Sequence, residues 1–297
     1  MSNTFKGILI TGATGQVGYE LCRSLSAFGA ILSPNRAELN LSDANAVDAY
    51  LTKHQPDLIV NPAAWTAVDS AETHQDEASR LNTVLPTQLA KYADKHNAYF
   101  VHYSTDYVYA GTGDKPWLET DTPAPLSVYG HTKLAGDQAV ISNCSNHLIF
   151  RTSWVYSDRG NNFMKTMLKL GEQRDRLNIV NDQYGAPTNA RMIAEVTALA
   201  IYRKLLNQPI ESGIYHLVNK GVTTWYGFAD AIFKQARLNN LPMLLTNLGG
   251  ISTAEFPTPA ARPSNSRLNV NKLENALGIT LPSWQQQLEH TLNCYIK

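Results

Sequence analysis

The spacing of apolar residues in the first half of the chain alternates between two regular patterns. Short apolar runs predict five β-strands, at 6–10, 30–33, 57–60, 99–103 and 147–152. The segments between them include three with apolar residues at helical spacing, at 43–53, 75–97 and 126–142. Pro86 predicts a kink or break in the second of these. Strands that alternate with helices in this way predict a doubly wound parallel sheet of the α/β class.

The alternation weakens after residue 152. Helices are predicted at 161–171, 189–206, 225–237 and 283–295, and further strands at 177–180 and 213–218. The stretch 239–267 is rich in Pro, Thr and Ala, and we expect mainly loops there. We therefore expect one domain over residues 1–152, to which the chain returns near 176–218. Residues 153–297 would form a smaller, partly interleaved C-terminal domain.

A glycine-rich turn follows the first predicted strand directly. Residues 11–18 read Thr-Gly-Ala-Thr-Gly-Gln-Val-Gly, and a helical pattern begins within them. Gly12 permits the tight turn, Gly15 admits a pyrophosphate close to the backbone, and Gly18 lets the helix pack on the strand. Gln16 and Val17 lie at the helix start, where the dipole favours an anion. This context predicts a dinucleotide-binding domain of the Rossmann type.

The end of the second predicted strand indicates which dinucleotide binds. An acid there holds a ribose 2′-hydroxyl, whereas Arg suits a 2′-phosphate. Asn35 and Arg36 occupy this neighbourhood and an acid does not. We expect NADPH as cofactor, with NADH as the alternative, although Arg36 could equally be a solvated loop residue. The small residues Ala63 and Ala64, followed by Trp65, come after the third strand, at the edge where ligands bind in parallel sheets.

A tyrosine and a lysine stand four residues apart at the start of a predicted helix. Tyr129 and Lys133 would therefore share one helix face. The ammonium stabilises phenolate, so we expect a lowered pKa for Tyr129, suited to donating a proton to a carbonyl. Thr105, at the end of the fourth strand, can hydrogen-bond the same carbonyl. This combination is typical of hydride transfer with a nicotinamide cofactor, and it makes Tyr129, Lys133 and Thr105 the candidate catalytic residues.

Charge and cysteine content exclude several classes of partner. The chain has 297 residues, with 25 basic and 25 acidic side chains and no block of like charge, so we expect neither a nucleic-acid nor a membrane partner. Apolar runs are shorter than a membrane helix needs, and the first six residues lack a signal-peptide layout. Cys22, Cys144 and Cys294 form neither a disulfide framework nor a metal site. These features predict a cytoplasmic protein.

Longer motifs resemble one family. The glycine turn, residues 102–109 (HYSTDYVY) and residues 129–133 are similar to the extended short-chain dehydrogenase/reductases. Residues 151–156 (RTSWVY), 181–188 (NDQYGAPT) and 262–266 (RPSNS) resemble the dTDP-4-dehydrorhamnose reductase family within them. The resemblance covers nearly the whole chain. It implies NADPH- or NADH-dependent reduction of the C4 carbonyl of dTDP-6-deoxy-L-lyxo-4-hexulose to dTDP-L-rhamnose.

The resemblance also implies roles for particular residues. Tyr129 would donate the proton, Lys133 would hold the cofactor, and Thr105 would orient the carbonyl. The remaining cofactor contacts would come from the glycine turn, from the pair Asn40 and Leu41 near the adenine, and from Ala63, Ala64 and Trp65. The dTDP-sugar would contact Thr105, Asp106 and Trp154, and Arg262 would hold its diphosphate. An ion pair for Arg262 and a core position for Trp154 are the structural alternatives.

Some relatives form dimers around magnesium held by glutamates. Glu20 is present here, but Arg191 and Cys294 stand where further glutamates are expected. We therefore expect no metal site, while a homodimer remains open.

Two other functions compete with this interpretation. The first is a reductase or epimerase of a related dTDP-4-keto sugar, such as one in the dihydrostreptose pathway. Dehydration is disfavoured because Tyr107 replaces the glutamate that follows Thr-Asp in dehydratases. The second is a non-catalytic NADP-binding regulatory scaffold, which would bind NADPH without consuming it.

Overall fold

The computed structural model describes residues 4–296, which contain twelve strands. Their bounds are β1 Phe5–Ile10, β2 Gly29–Leu32, β3 Leu58–Asn61, β4 Tyr99–Thr105, β5 His147–Thr152, β6 Val155–Tyr156, β7 Arg176–Val180, β8 Tyr184–Gly185, β9 Thr188–Asn189, β10 Gly213–His216, β11 Thr223–Thr224 and β12 Asn247–Ile251. Six of them form one parallel sheet in the order β10-β5-β4-β3-β1-β2. The predicted α/β class with a parallel sheet is therefore confirmed.

Eleven α-helices accompany these strands within the described residues. They are α1 Gln16–Leu25, α2 Ala44–His54, α3 Val68–Ala71, α4 Gln75–Ser79, α5 Leu85–Lys95, α6 Val128–Asn143, α7 Phe163–Gln173, α8 Ala190–Leu205, α9 Trp225–Leu238, α10 Asn271–Leu277 and α11 Trp284–Ile296. A π-helical turn, Arg80–Val84, joins α4 to α5, and short 3₁₀ turns lie at Asp106–Val108 and Thr253–Glu255. Every helix between residues 4 and 296 is too short or too polar to span a bilayer.

The helices cover both faces of the sheet because its strands are apolar on both sides. On one face, α1, α8 and α10 pack against the sheet through side chains such as Leu21, Ile193 and Leu273. On the other, α2, α5 and α6 supply Leu51, Leu89 and other apolar groups. A third apolar cluster lies apart from the sheet and is built mainly by α7, α9 and α11.

The predicted break near Pro86 is confirmed. The helical stretch 75–95 is interrupted by the π-helical turn that ends just before Pro86, since proline cannot donate the backbone hydrogen bond that a continuous helix needs.

Two other parts of the chain differ from the prediction. The predicted loop 239–267 contains β12, which pairs with β7 in a parallel ladder. The helix α10 was not predicted; seven residues are too few for a clear helical periodicity.

The direction in which successive strands are added to the sheet reverses at one place, beside β1. β1 lies between β2 and β3, and the chain then continues outward through β4 and β5 to β10. Ligands bind in such sheets beyond the carboxyl ends of the strands at this reversal. The turns after β1, β3 and β4 all leave from that edge, so the residues that end these strands form the candidate site.

Candidate active site

The glycine turn after β1 has the close packing that its sequence predicts. Gly12 has a φ of +61°, and a Cβ there would lie 3.1 Å from Ala63, which follows β3. A Cβ on Gly18 would lie 2.2 Å from the Gly12 carbonyl oxygen, so only glycine lets α1 approach the turn this closely. Among residues 4–296, no side chain caps the start of α1 at Gly15. Its free backbone amides suit the pyrophosphate of a dinucleotide, and the turn therefore fits this cofactor.

Gln16 also ties the turn to a later loop. Its side-chain oxygen Oε1 accepts hydrogen bonds from Ser157 Oγ and Asn162 Nδ2, both at 2.9 Å. Gly160, in the same loop, has a φ of +62° and lies against the Gln16 side chain. The first helix and the loop that follows β6 are thus held together beside the predicted cofactor site. Val17 is half-buried and packs against the core on the α1 side of the sheet.

The loop after β3 is held by Asn82, which was not among the predicted site residues. Asn82, in the π-helical turn, accepts from the Trp65 backbone amide at 2.9 Å and donates to the Trp65 carbonyl at 3.1 Å. Its Nδ2 also donates to Thr132 Oγ1 on α6 at 3.1 Å. Asn82 is fully buried. Ala63 and Ala64 are half-buried in the same loop. The sequence contained one signal for this residue: Asn82 stands shortly before Pro86 in a predicted helix, and irregular turns in helices are frequent at functional sites.

The candidate adenine-end residues lie further along the same edge. Leu41 and Ala63 pack against one apolar cluster, whereas Asn40 is exposed. Asn35 accepts from the amides of residues 37 and 38, and its own amide donates to Glu38 Oε2 at 2.8 Å. Arg36 is exposed in this turn. The expectation that acids are missing here is therefore wrong, because the turn folds the Glu38 carboxylate back onto Asn35.

Tyr129, Thr105 and Asp106 form one buried row. Tyr129 and Thr105 share a side-chain hydrogen bond, and Thr105 Oγ1 donates to Asp106 Oδ1 at 3.0 Å. Ser127 caps α6 by accepting from the Gly130 amide, which fixes the start of the helix that carries Tyr129. The ring of Tyr107 packs edge-on against Tyr129, with centroids 5.5 Å apart. Thr105 and Asp106 are both more than nine-tenths buried.

Lys133 lies one turn along α6 and is 2 % exposed. Its Nζ donates to the Tyr103 carbonyl at 2.6 Å and lies 3.4 Å from His102 Nε2. The other ring nitrogen of His102 lies 3.1 Å from Asn61 Nδ2. Burial and the lysine charge hold the pKa of His102 well below its usual range, so its ring is neutral. His102 was missed because a lone histidine in a buried strand gives no functional signal by itself.

The predicted lowering of the Tyr129 pKa is wrong for this structure. Burial raises the pKa of Tyr129, and the nearby carboxylates of Asp106 and Asp137 raise it further, while the Thr105 hydrogen bond opposes the rise. Burial also lowers the pKa of Lys133 to about 8. The ammonium is directed to the Tyr103 carbonyl, so desolvation outweighs the expected pairing of lysine with phenol.

Trp154 lies immediately after β5 in an unusual backbone conformation. Its φ is +50°, and its ring stacks on Trp225 with centroids 3.7 Å apart. A Cβ on Gly185 would come within 2.8 Å of the Trp154 ring. A side chain with positive φ is strained, and such strain is concentrated at binding sites. The indole is half-buried, with one face already covered by Trp225.

Arg262 connects the C-terminal region to the site. Its Nη2 donates to Asp69 Oδ2 on α3 at 2.6 Å, and its Nη1 donates to the Tyr107 hydroxyl at 3.1 Å. The backbone amide of Ala260 donates to the other oxygen of Asp69. Arg262 therefore lies beside Tyr107 and forms the ion pair that the sequence left as an alternative, while the diphosphate contact stays a prediction.

The positions compared with metal-binding relatives form a different contact. Glu20 is 2 % exposed, and its Oε2 pairs with Arg23 at 3.1 Å and with Arg191 at 3.4 Å. Arg191 Nη1 also lies 3.6 Å from Cys294 Sγ. Two guanidinium groups on one carboxylate leave it without free charge for a divalent cation, so these residues do not fit a magnesium ion.

The parallel sheet, the glycine turn at its reversal and the buried Tyr129–Lys133 pair define an extended short-chain dehydrogenase/reductase with a Rossmann-type fold. The family model described as RmlD substrate binding domain matches residues 6–296. The chain belongs to this family.

Relatives with assigned activities match the chain over nearly its full length. The dTDP-4-dehydrorhamnose reductase of Salmonella typhimurium is 49% identical over 289 residues, which cover 96% of each chain. That of Escherichia coli K12 is 47% identical and covers 96% of this chain and 97% of its own. A solved dTDP-4-dehydrorhamnose reductase from Bacillus anthracis, in complex with NADP, superposes with a TM-score of 0.88 at 33% identity, covering 97% of this chain and 99% of its own. The family resemblance found in the sequence is confirmed.

Proposed function

We propose that this protein reduces the C4 carbonyl of dTDP-4-dehydrorhamnose to give dTDP-L-rhamnose, with NADPH as reductant. The observation that carries the proposal is the buried row of Tyr129, Thr105 and Asp106, one helical turn from Lys133 and at the sheet edge that holds the glycine turn. The support for this particular sugar is that relatives at 47% and 49% identity carry the name of that activity. The support for NADPH is a related structure in complex with NADP.

The side chains divide the work of a carbonyl reduction. NADPH supplies a hydride to C4 when it is bound. Tyr129 donates its hydroxyl proton to the C4 oxygen, so the carbonyl becomes an alcohol and the tyrosine becomes phenolate. Lys133 stabilises that phenolate and holds the nicotinamide ribose hydroxyls. The single proton of the Thr105 hydroxyl is directed to Asp106 before the reaction, and it can turn to the phenolate afterwards.

Burial of Tyr129 favours this order of events. A phenol whose pKa is raised keeps its proton until the substrate oxygen becomes strongly basic, which happens only as the hydride arrives. The amides at the start of α1 hold the cofactor pyrophosphate. Asp106 and Trp154 contact the sugar nucleotide, and Arg262 exchanges its ion pair with Asp69 for the substrate diphosphate.

The test is NADPH oxidation followed by absorbance with dTDP-4-dehydrorhamnose as substrate, with NADH run in parallel and the product identified by mass and NMR. We expect turnover of NADPH with formation of dTDP-L-rhamnose. Cofactor binding without oxidation on this sugar, but with oxidation on another dTDP-4-keto sugar, would refute the substrate assignment. Binding without oxidation on any of them would refute the enzymatic function and favour a regulatory scaffold.

A further inference from the structure

A buried acid lies one helical turn beyond Lys133. Asp137 is fully buried on α6, at the spacing that puts it on the same helix face as Lys133. Its Oδ2 accepts from Arg151 Nε on β5 at 3.0 Å. Its Oδ1 has no hydrogen-bond partner within residues 4–296. The carboxylate therefore pairs directly with Arg151 and lies one helical turn from the buried Lys133.

The charged and titratable groups around Lys133 leave Asp137 as its main source of negative charge. From β4, Lys133 meets the neutral His102 ring and the Tyr103 carbonyl. From its own helix it meets Tyr129, whose raised pKa keeps the phenol neutral. From β5, Arg151 adds positive charge next to Asp137. Asp106 lies beyond Thr105, at the far end of the row that begins with Tyr129.

We propose that Asp137 is a positioning residue that keeps the Lys133 side chain charged and in place for the cofactor and for Tyr129. The proposal rests on the function proposed above, because Lys133 has this duty only in a dinucleotide-dependent reductase. A buried ammonium loses its hydration, and its two neutral partners do not replace a counter-ion.

The electrostatics agree with this geometry. Burial lowers the pKa of Lys133 to about 8, and the Asp137 charge opposes that fall. Burial raises the pKa of the Asp137 carboxyl, while Arg151 and Lys133 both favour its ionised form. Without Asp137, desolvation would act unopposed, and Lys133 would lose its proton at a lower pH.

On the side away from the active site, Arg151 joins Asp137 to a second group of buried polar side chains. Its Nη1 donates to the Tyr109 hydroxyl at 2.8 Å, and that oxygen lies 2.7 Å from His216 Nε2. Tyr109 is therefore a neighbour of the Asp137–Arg151 pair that has no role at the reacting atoms. Tyr109→Phe therefore serves as the control variant, because it removes one hydrogen bond from the same buried network and leaves the charge of Asp137 in place.

The experiment measures NADPH affinity by fluorescence titration from pH 6 to pH 10 in three variants and the parent protein. In the parent, affinity should weaken as the pH rises through about 8, where Lys133 loses its proton. Asp137→Asn should move this midpoint down by about one pH unit or more. Asp137→Glu keeps the negative charge, so its midpoint should lie close to that of the parent protein. Tyr109→Phe should lower the melting temperature and leave the midpoint unchanged.

An unchanged midpoint in folded Asp137→Asn, or an equal shift in Tyr109→Phe, would overturn the proposal. If Asp137→Asn does not fold, NMR of the parent protein provides the same test. The ¹³C signal of the Asp137 carboxyl should shift with the midpoint of the Lys133 side-chain nitrogen, and a flat trace would reject the coupling. These readouts need no sugar substrate, so failure of sugar reduction would refute the proposed function without deciding this point.

Discussion

The Thr105 hydroxyl donates a hydrogen bond to the Asp106 carboxylate, with 3.0 Å between Oγ1 and Oδ1, and both side chains are buried. Burial raises the pKa of Asp106 to about 6, although hydrogen bonds from Ser266 and Thr105 oppose the rise. At neutral pH the protein therefore holds an ionised acid in a place that disfavours its charge. A carboxylate kept at such a cost in stability is typical of a functional site.

Asp106→Asn should stabilise the fold and weaken substrate binding. A rise in pKa from 3.8 to about 6 corresponds to about 3 kcal/mol of lost stability at pH 7. The sign follows because the folded state binds this proton more tightly than the unfolded state, so stability falls as the pH rises between about 4 and 6. The variant should lack this dependence, have a higher melting temperature at pH 7, and have a several-fold higher KM for the dTDP-sugar.

Thermal unfolding across pH 4 to 8 and steady-state kinetics measure both effects. A melting temperature that falls in Asp106→Asn at pH 7 would contradict the assignment of a destabilising charge. An unchanged KM would show that Asp106 does not contact the sugar nucleotide.

Tyr129→Phe should remove most turnover and leave the cofactor bound. Loss of a positioned proton donor lowers kcat by about 10²- to 10⁴-fold, while NADPH affinity should change by less than about threefold because Lys133 remains. Tyr103→Phe is the matched control, since it removes a buried hydroxyl that lies 2.7 Å from Thr197 Oγ1. It should cost about 1 kcal/mol of stability and leave kcat unchanged. Full activity in Tyr129→Phe would reject this residue as the acid.

Replacement of Arg262 should raise KM for the dTDP-sugar, and replacement of Asp69 should not, if Arg262 binds the diphosphate. Their 2.6 Å ion pair competes with the substrate for the guanidinium. Arg262→Ala should then raise KM for the dTDP-sugar by about tenfold or more, whereas Asp69→Asn should lower KM or leave it unchanged. Kinetics of both variants and of the double variant measure this. If both single variants raise KM equally, the pair has a structural role in fixing the loop that contains Ala260.

Arg36 and Glu38 should set the preference between the two cofactors. Arg36→Ala should weaken NADPH more than NADH if the guanidinium meets the 2′-phosphate, because NADH lacks that group. Glu38→Gln should favour NADPH, since it removes a negative charge from the same turn. Dissociation constants for both cofactors, measured by fluorescence, test this. Equal effects of Arg36→Ala on the two cofactors would exclude a 2′-phosphate contact.

The sequence by itself determined the alternation of strands and helices, the glycine turn and the Tyr129–Lys133 spacing, because each depends on local periodicity or on a short motif. The strand at Asn247–Ile251 was not predictable in this way, since its partner is β7, far away in the chain. Its Gly-containing run has no alternation of its own.

Only the tertiary structure decided how the site is charged. His102 lies beside Lys133 because α6 packs against β4, and Arg151 reaches Asp137 from β5. Burial then raises the Tyr129 pKa, against the simple expectation from a neighbouring ammonium. The Asp69–Arg262 pair likewise joins residues 193 positions apart. Desolvation and long-range pairing depend on which elements meet in space, and no periodicity or motif in the chain carries that information.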